Sequence, residues 1–262
     1  MKLARVQGEE RVAASAPAAV EAGVFSVEYV DEGGIRRHEP LPAVWTTRFE
    51  EMEPVRKVRS FHGQRSVVRD YWFARTGQVV SCESRLERDH AMLFDFDPLA
   101  VGLVSQPFRL FWPGQRGRRG HVPDFFVRLA DGTTVLVDVR PDDQIEPGDA
   151  EAFAASARAC ELAGWSFRRV GVIAPVLLAN VRWLAGYRHP RYWQPRTAAG
   201  LREVFAEPRC LFAGASAVGD RLAVLPVLYH LLWRRLLTAD LSERPLGPDT
   251  LVGSAPEGGL AG

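Results

Sequence analysis

The 262-residue sequence has few cysteines, and they form no recognisable pattern. Its three cysteines, Cys82, Cys160 and Cys210, lie far apart and include no Cys-x-x-Cys pair. An odd and scattered set argues against a disulfide framework and against a zinc site, and it is typical of a reducing cytosol. We therefore expect a cytoplasmic protein.

Long apolar runs are also missing. No stretch approaches the roughly 20 apolar residues that a membrane-spanning helix needs. The Ala- and Val-rich segment at 13–24 contains Glu21 and lacks the apolar core of a signal peptide. We expect no signal peptide, no transmembrane helix and no membrane partner.

Neither sign of charge is in excess, since 33 Lys and Arg residues face 32 Asp and Glu residues. A nucleic-acid partner would therefore have to be inferred from local clusters of charge. The sequence also lacks a phosphate-binding P-loop, a dinucleotide-binding glycine motif and the nucleophile elbow of serine hydrolases. Bound ATP, bound NAD and serine-hydrolase chemistry are accordingly not supported.

Hydrophobic residues make up 47% of the chain, which is enough for one sizeable core and a smaller appended domain. Shifts in composition divide the chain into four parts. We predict a disordered or weakly ordered segment at 1–40, with a short strand at 23–30, and a main domain at 41–186. A small helical or winged-helix-like region at 187–255 and a flexible tail at 256–262 follow.

Hydrophobic periodicity predicts an α/β fold for the main domain. The order is one helix, three strands, a helix, a strand and a helix, which suits a mixed sheet with helices on both faces. The predicted ranges are 84–96, then 101–112, 122–129 and 133–140, then 149–164, 166–173 and 175–184. Two further helices are predicted at 197–205 and 222–237.

A predicted hairpin carries the strongest chemical signal. Its connector Ala130-Asp131-Gly132 fits a three-residue loop with a left-handed glycine, which pairs Leu129 with Thr133. That register places Asp124 directly opposite Asp138. A two-residue turn would instead shift the register and turn Asp124 away from Asp138.

Two carboxylates that face each other across antiparallel strands repel one another. A cation, a shared proton or Arg140 alone would have to compensate, since strand alternation places Arg140 on the same face as Asp138. Mg²⁺ is the most economical answer because it prefers oxygen ligands and is commonly held by one or two carboxylates. The alternative is a surface hairpin whose two acids face solvent.

These residues also resemble a known signature. Pro123-Asp124, followed by Asp138-Val139-Arg140, resembles the PD-(D/E)xK motif of restriction-endonuclease-like nucleases. Over about residues 55–185, three blocks in order are similar to TnsA-like endonuclease subunits of heteromeric transposases. The blocks are Ser84-Arg-Leu-Glu87, Ser105-Gln106-Pro107-Phe108, and Asp124-Phe-Phe-Val127 with Val137-Asp-Val-Arg140.

The resemblance implies a restriction-endonuclease-like mixed sheet and a metal-dependent DNA endonuclease. It implies that Glu87, Asp124, Asp138 and Arg140 are catalytic, and that Glu87, Asp124, Asp138 and the Val139 carbonyl bind Mg²⁺, with Mn²⁺ as a substitute. Double-stranded DNA at transposon ends would be cleaved together with a partner transposase subunit, and an ATP-dependent transposition regulator is a further implied partner. Glu83 is the alternative to Glu87, because Ser84 and Glu87 also match a helix capping box.

One position departs from the family pattern, since Arg140 stands where the signature has lysine. Arginine keeps its charge and can stabilise a developing anion, but it cannot exchange a proton near neutral pH. Two other functions therefore stay open. One is a DNA-binding assembly module whose nuclease site has decayed, and the other is a stand-alone restriction or repair nuclease of the same fold.

Two local clusters of basic residues are candidates for contact with the DNA backbone. One lies in an aromatic-rich segment at 55–76, and the other is a connector just before Asp124. Their alternatives are a solvated loop and a solvated hairpin tip. The predicted DNA-binding residues are Arg56, Lys57, Arg59, Arg65, Arg116, Arg118 and Arg119.

Overall fold

The computed structural model describes residues 24–56, 69–114 and 117–255. The chain divides into two compact units, Met1–Val172 and Ile173–Gly262. The first unit confirms the mixed α/β class. It contains two four-stranded sheets and a separate pair of strands.

Along the first unit, groups of strands are separated by helices. The helices are α1 (Leu41–Val44), α2 (Arg85–Phe96) and α3 (Pro147–Ala163). The strands are β1 (Ser26–Val30), β2 (Arg36–Pro40), β3 (Arg69–Phe73), β4 (Gln78–Cys82), β5 (Ala100–Ser105), β6 (Arg109–Gly114), β7 (Gly117–His121), β8 (Phe125–Leu129), β9 (Thr134–Val139) and β10 (Ser166–Val170).

The sheet that carries the predicted hairpin has the strand order β10-β9-β8-β5. β8 is antiparallel to both of its neighbours, whereas β9 and β10 are parallel and are joined through α3. The other large sheet has the order β2-β1-β6-β7 and is antiparallel throughout.

The prediction of a weakly ordered segment up to residue 40 is wrong for its last part. β1 and β2 form an antiparallel hairpin, and β1 also pairs with β6. Val27 and Tyr29 alternate inward along β1 and are buried in the core, which anchors this hairpin to the main domain. Residues 1–23 lie outside the described residues.

The single strand predicted at 101–112 is also wrong, because β5 and β6 belong to different sheets. Gln106 separates them with a φ of 49°, a left-handed conformation that side chains other than glycine rarely adopt. Pro107 follows and has no N–H to donate, so the ladder stops at this point.

An aromatic core underlies one face of the β8–β9 hairpin. Phe49 packs on Phe108 and Phe126 with ring centroids 4.8 and 5.4 Å apart. Phe126 and Leu136 belong to this core, together with residues of α3. Burial of each phenylalanine contributes about 1.5–3 kcal/mol. Asp124 and Asp138 come two residues beyond this apolar pair on the same face, at the point where the core ends.

The second unit consists of helices and a small antiparallel sheet with the order β11-β13-β12. Its helices are α4 (Pro175–Ala185), α5 (Pro195–Val204), α6 (Leu211–Val218) and α7 (Arg221–Trp233). Its strands are β11 (Arg209–Cys210), β12 (Leu237–Ala239) and β13 (Leu251–Ser254). A mostly helical C-terminal region was predicted, and the residues of the predicted tail at 256–262 lie outside the described part of the chain.

The division between the units falls before α4 and not after residue 186 as predicted. The side chain of Asn180, on α4, explains the difference. Its amide nitrogen donates to the carbonyls of Leu241 and Arg244, each at 2.9 Å, and its oxygen accepts from the Leu246 N–H at 2.8 Å. These bonds tie α4 to the segment at 241–246, a link that local periodicity does not reveal.

No single described helix is both long enough and apolar enough to cross a membrane. α6 and α7, bent by 118° relative to each other, meet the criteria of length and composition only when they are taken together.

Candidate functional site

The predicted hairpin register is confirmed. Phe125 pairs with Val137 and Phe126 pairs with Leu136, so the same register continued by one residue sets Asp124 opposite Asp138. The loop closes with a bond from the Leu129 N–H to the Thr133 carbonyl at 2.8 Å. Gly132 has the expected left-handed φ of 84°. The two-residue turn is therefore excluded.

Asp138 is the most deeply buried acid of the site, with 2% of its surface exposed. Its Oδ1 lies 2.8 Å from Nε2 of His121, at the end of β7. Its Oδ2 is buried and has no hydrogen-bond partner among the residues that the structure describes. An unsatisfied buried acceptor costs about 1–3 kcal/mol, and more when it is charged. A cation or a proton at Oδ2 would remove this cost.

Asp124 is held by the main chain on both of its sides. Its Oδ2 accepts a hydrogen bond from the Val139 N–H at 2.7 Å. Its carbonyl accepts one from the Gln106 N–H at 2.9 Å, so the left-handed turn at Gln106 fixes the start of β8. The Gln106 side chain also lies near the site, where its Oε1 accepts a hydrogen bond from Nε of Arg56 at 3.4 Å.

Desolvation raises the pKa of the Asp124 carboxyl well above its usual range. The nearby carboxylates of Glu87 and Asp138 raise this pKa further, and the bond from the Val139 N–H only partly opposes them. The pocket therefore disfavours a bare second negative charge. It favours either a proton or a bound cation, as the facing carboxylates suggested.

The start of α2 supplies two acids, and they have different surroundings. Glu87 is buried, its N–H donates to Oγ of Ser84 at 3.1 Å, and its Oε2 accepts from the Glu83 N–H at 2.7 Å. It therefore bonds back to the start of the helix, as the alternative interpretation supposed, but to the Glu83 N–H and not to the Ser84 N–H of a strict capping box. Its burial raises its pKa. Glu83 instead lines a cavity and pairs with Nη2 of Arg56 at 2.7 Å.

The cavity has a volume of about 310 Å³ and lies beside the facing aspartates. Three carboxylates and four groups able to carry positive charge line it. The charged and ionisable lining residues are Glu83, Asp124, Asp138, Arg56, Arg109, His121 and Arg140, and Val139 lies on the same wall. This mixture suits the binding of a cation by the carboxylates together with an anionic substrate by the basic groups.

Sequence reasoning did not select His121 or Arg109 as site residues. His121 was visible only as part of the basic connector, and Arg109 only as a basic residue shortly after Gln106-Pro107. The side chain of Arg109 forms no hydrogen bond or ion pair with any described residue, which leaves its guanidinium available to a ligand. Both residues reach the cavity because β6 and β7 are paired next to it.

Arg140 lines the cavity, but its side chain already has a partner. Its Nη2 lies 3.2 Å from Oδ1 of Asp149, near the start of α3. Its carbonyl accepts a hydrogen bond from Nη1 of Arg169 at 2.8 Å. The other N–H groups of this guanidinium have no partner among the described residues, so Arg140 can keep Asp149 and still donate to a phosphate.

The predicted DNA-binding residues fall into three groups. Arg56 lines the cavity. Arg118 and Arg119 lie on β7 and are engaged by protein groups. Arg118 bonds to Ser26 and lies 4.0 Å from the ring centroid of Phe111, and Arg119 pairs with Glu151 at 3.0 Å. The remaining predicted residues, Lys57, Arg59, Arg65 and Arg116, lie outside the described residues.

Within the described ranges, no three His, Cys, Asp or Glu side chains converge as a dedicated metal site would require. Two facing aspartates nevertheless suit Mg²⁺, which commonly takes one or two carboxylates and completes its coordination with water and substrate phosphate. The unpartnered Oδ2 of Asp138 and the raised pKa of Asp124 fit such an ion.

No known protein family profile matches the chain. No curated protein is significantly similar to it in sequence. The function is therefore inferred from the residues of the site and their geometry.

Proposed function

We propose that this chain is a metal-dependent DNA endonuclease subunit whose first unit has a restriction-endonuclease-like fold. The facing pair Asp124 and Asp138 carries the proposal. One oxygen of Asp138 is buried and has no partner in the part of the chain that the structure describes, and the pair lies beside a cavity lined by arginines. A surface hairpin with solvated acids would show neither feature.

The fold is compatible with this class. The acidic hairpin lies in the middle of the β10-β9-β8-β5 sheet, and a β-α-β connection through α3 follows it. The ring of Phe94, on α2, packs on Phe125 from the side opposite the aromatic core, with centroids 5.8 Å apart. The two acids are thus mounted on rigid strands and not on a loop, which favours a fixed geometry.

Asp124 and Asp138 would hold Mg²⁺ or Mn²⁺, with the Val139 carbonyl and a carboxylate from the start of α2, Glu87 or Glu83, as further ligands. When bound, the ion would supply Lewis acidity that polarises the phosphodiester and lowers the pKa of water. The preference for Glu87 rests on the resemblance, whereas the cavity lining favours Glu83.

The residues of the chain would do the rest. His121 fixes one oxygen of Asp138, and the Val139 N–H fixes one oxygen of Asp124, which leaves the other oxygens to face a ligand. Arg56, Arg109 and Arg140 would neutralise the phosphate as negative charge builds up on it. Arg140 keeps its charge at any physiological pH, so its role is electrostatic.

Cleavage at a transposon end in concert with a partner transposase subunit, under an ATP-dependent regulator, is the biological setting that the resemblance suggests. A second candidate function is a non-catalytic DNA-binding assembly module. The ion pair between Arg140 and Asp149 favours it, because a carboxylate already offsets part of the positive charge that a cleavage reaction would use.

Mn²⁺ binding, measured by electron paramagnetic resonance, tests the acid pair without any partner protein. We expect the wild type to bind Mn²⁺, and Asp124→Asn and Asp138→Asn each to weaken binding by about tenfold or more. Asp131→Asn, at the exposed loop of the same hairpin, is the matched control and should bind as the wild type does. Folded protein that ignores millimolar Mn²⁺, even with DNA present, would favour the assembly module.

The same measurement tests the role of His121. His121→Ala should weaken Mn²⁺ binding by about 10-fold, because Asp138 loses the group that orients it. His121→Gln offers a donor at a similar reach and should recover part of the affinity. Equal losses in both variants would show that His121 acts only through packing.

A further inference from the structure

The second unit contains a pocket of its own, with a volume of about 420 Å³. It lies near the end of α7 and the turn that precedes α5. Its lining residues are Pro190, Trp193, His230, Arg234 and Leu236, and we refer to it as the Trp193 pocket. All of these residues belong to the second unit, so the pocket is independent of the carboxylate site.

His230 gives the pocket an unsatisfied polar atom. Only 1% of its surface is exposed, and its Nδ1 lies 2.7 Å from the Tyr187 carbonyl. A carbonyl only accepts hydrogen bonds, so Nδ1 carries the proton and Nε2 is an acceptor. Nε2 is buried and has no partner among the described residues. A ligand that donates an N–H or O–H would satisfy it.

The charge of the surroundings keeps the ring neutral. Burial lowers the pKa of His230, and the positive charge of Arg234 and the proximity of His189 lower this pKa further. The ring therefore stays an acceptor near neutral pH. The positive charge of Arg234, which lines the pocket, makes it attractive to an anion.

The walls suit a flat apolar group. Trp193 is 42% exposed, and its ring stands at 68° to the His230 ring with the centroids 6.2 Å apart. Pro190 and Leu236 complete the lining. An exposed indole beside an acceptor provides a surface on which a planar ring with an N–H edge can stack.

The end of α7 is shaped so that Arg234 and Leu236 border this space. Arg235 adopts a left-handed φ of 58°, and the Leu236 N–H donates back to the Leu231 carbonyl at 3.0 Å. This is the helix-ending turn that normally uses glycine at the left-handed position. The side chain of Arg234 is exposed and forms no hydrogen bond or ion pair with any described residue, so its guanidinium can take an anion.

We propose that the Trp193 pocket binds a nucleotide. The base would stack on Trp193 and donate an N–H to Nε2 of His230, and the phosphate would bind Arg234. A single arginine suits one phosphate group, so the missing P-loop does not count against this ligand. The nucleotide is either a free monophosphate or an unpaired nucleotide at a DNA end, which present the same chemistry.

Calorimetric titration of the full chain with dAMP tests the proposal. We expect saturable binding, weakened about tenfold or more by Trp193→Ala and by Arg234→Gln. Trp183→Ala and Arg202→Gln, which alter exposed residues of the same unit outside the pocket, should bind as the wild type does. Deoxyadenosine should bind more weakly than dAMP and be indifferent to Arg234→Gln.

Two further experiments identify the source of the nucleotide and its contact with His230. A duplex with an unpaired terminal nucleotide that binds about tenfold tighter than dAMP, and depends on Trp193, would indicate a DNA end, whereas equal affinity would indicate the free nucleotide. The ¹⁵N resonance of His230 Nε2 should shift when dAMP binds. Asp124→Asn should leave dAMP binding unchanged, so failure here is separable from failure of the nuclease proposal.

The proposal is overturned if folded protein shows no binding of dAMP or of the oligonucleotide at millimolar concentration. It is equally overturned if binding persists undiminished in Trp193→Ala and Arg234→Gln. Binding of an acidic, tryptophan-containing peptide in place of dAMP would assign the pocket to a protein partner instead.

Discussion

The cavity beside the facing aspartates and the Trp193 pocket share one feature and differ in the charges around it. Each contains a buried acceptor that has no partner among the described residues, Oδ2 of Asp138 in the first unit and Nε2 of His230 in the second. Asp138 faces a second carboxylate, whereas His230 has the cationic Arg234 as a neighbour. The first cavity therefore favours a bound cation. The second favours a ligand that has a neutral hydrogen-bond donor and an anionic group.

The difference shows that an unsatisfied atom alone does not identify a ligand. Its chemical demand is set by the net charge of the groups that surround it. The charge composition of the two units differs in the same direction. Residues 173–262 contain ten arginines and seven acids, whereas acids slightly outnumber bases in the rest of the chain.

The largest expected effect is that of substituting Arg140, which tests whether the first cavity acts on phosphodiesters. If the first cavity processes phosphodiesters, Arg140→Ala should lower the rate of Mn²⁺-dependent DNA nicking by about 100-fold, because a positive charge beside the developing anion is lost. Arg140→Lys should keep most of the rate or increase it, and Arg169→Lys serves as a charge-conserving control nearby. Equal, negligible nicking by wild type, Ala and Lys variants would identify a decayed site.

The next largest effect is on the pH dependence of folding stability. The pKa of Asp124 is raised in the folded state, so its contribution to stability is greatest below the unfolded pKa and declines as pH rises through the folded value. Asp124→Asn can still accept from the Val139 N–H but cannot ionise. Without metal, its thermal midpoint should exceed that of the wild type by about 4 °C at pH 8.

That advantage of Asp124→Asn should shrink toward pH 4, and Mg²⁺ should raise the midpoint of the wild type only. Differential scanning calorimetry across this range measures both. A difference that does not vary with pH would mean that Asp124 is not under electrostatic strain.

The smallest effect belongs to the second unit, where strain is conformational and not electrostatic. Arg235→Gly should stabilise the protein by about 1 kcal/mol, because glycine adopts the left-handed φ of 58° without the penalty that arginine meets. Urea unfolding measures it, with Arg234→Gly, in right-handed helical geometry, as the destabilising control. A loss of stability in Arg235→Gly would mean that the arginine side chain makes compensating contacts.

The acid pair was predictable because the information is local. The loop at 130–132 fixes its own register, and a register once fixed determines every pair along the hairpin, including Asp124 and Asp138. The limits of α2 and α3 were close to prediction for the same reason, because caps such as Ser84 and Gly164 lie next to the helices that they end.

By itself, therefore, the sequence determined the mixed α/β class, the facing carboxylates and the end of α3 at Gly164. Only the tertiary structure decided that β1 and β2 join the main domain, that Gln106 divides a strand, and that α4 belongs to the second unit. It also decided that His121 reaches Asp138, that Glu83 lines the cavity while Glu87 caps a helix, and that His230 lies beside Trp193. Turns and caps act between residues a few positions apart, whereas these contacts join distant segments, and only the packing of the whole chain brings such segments together.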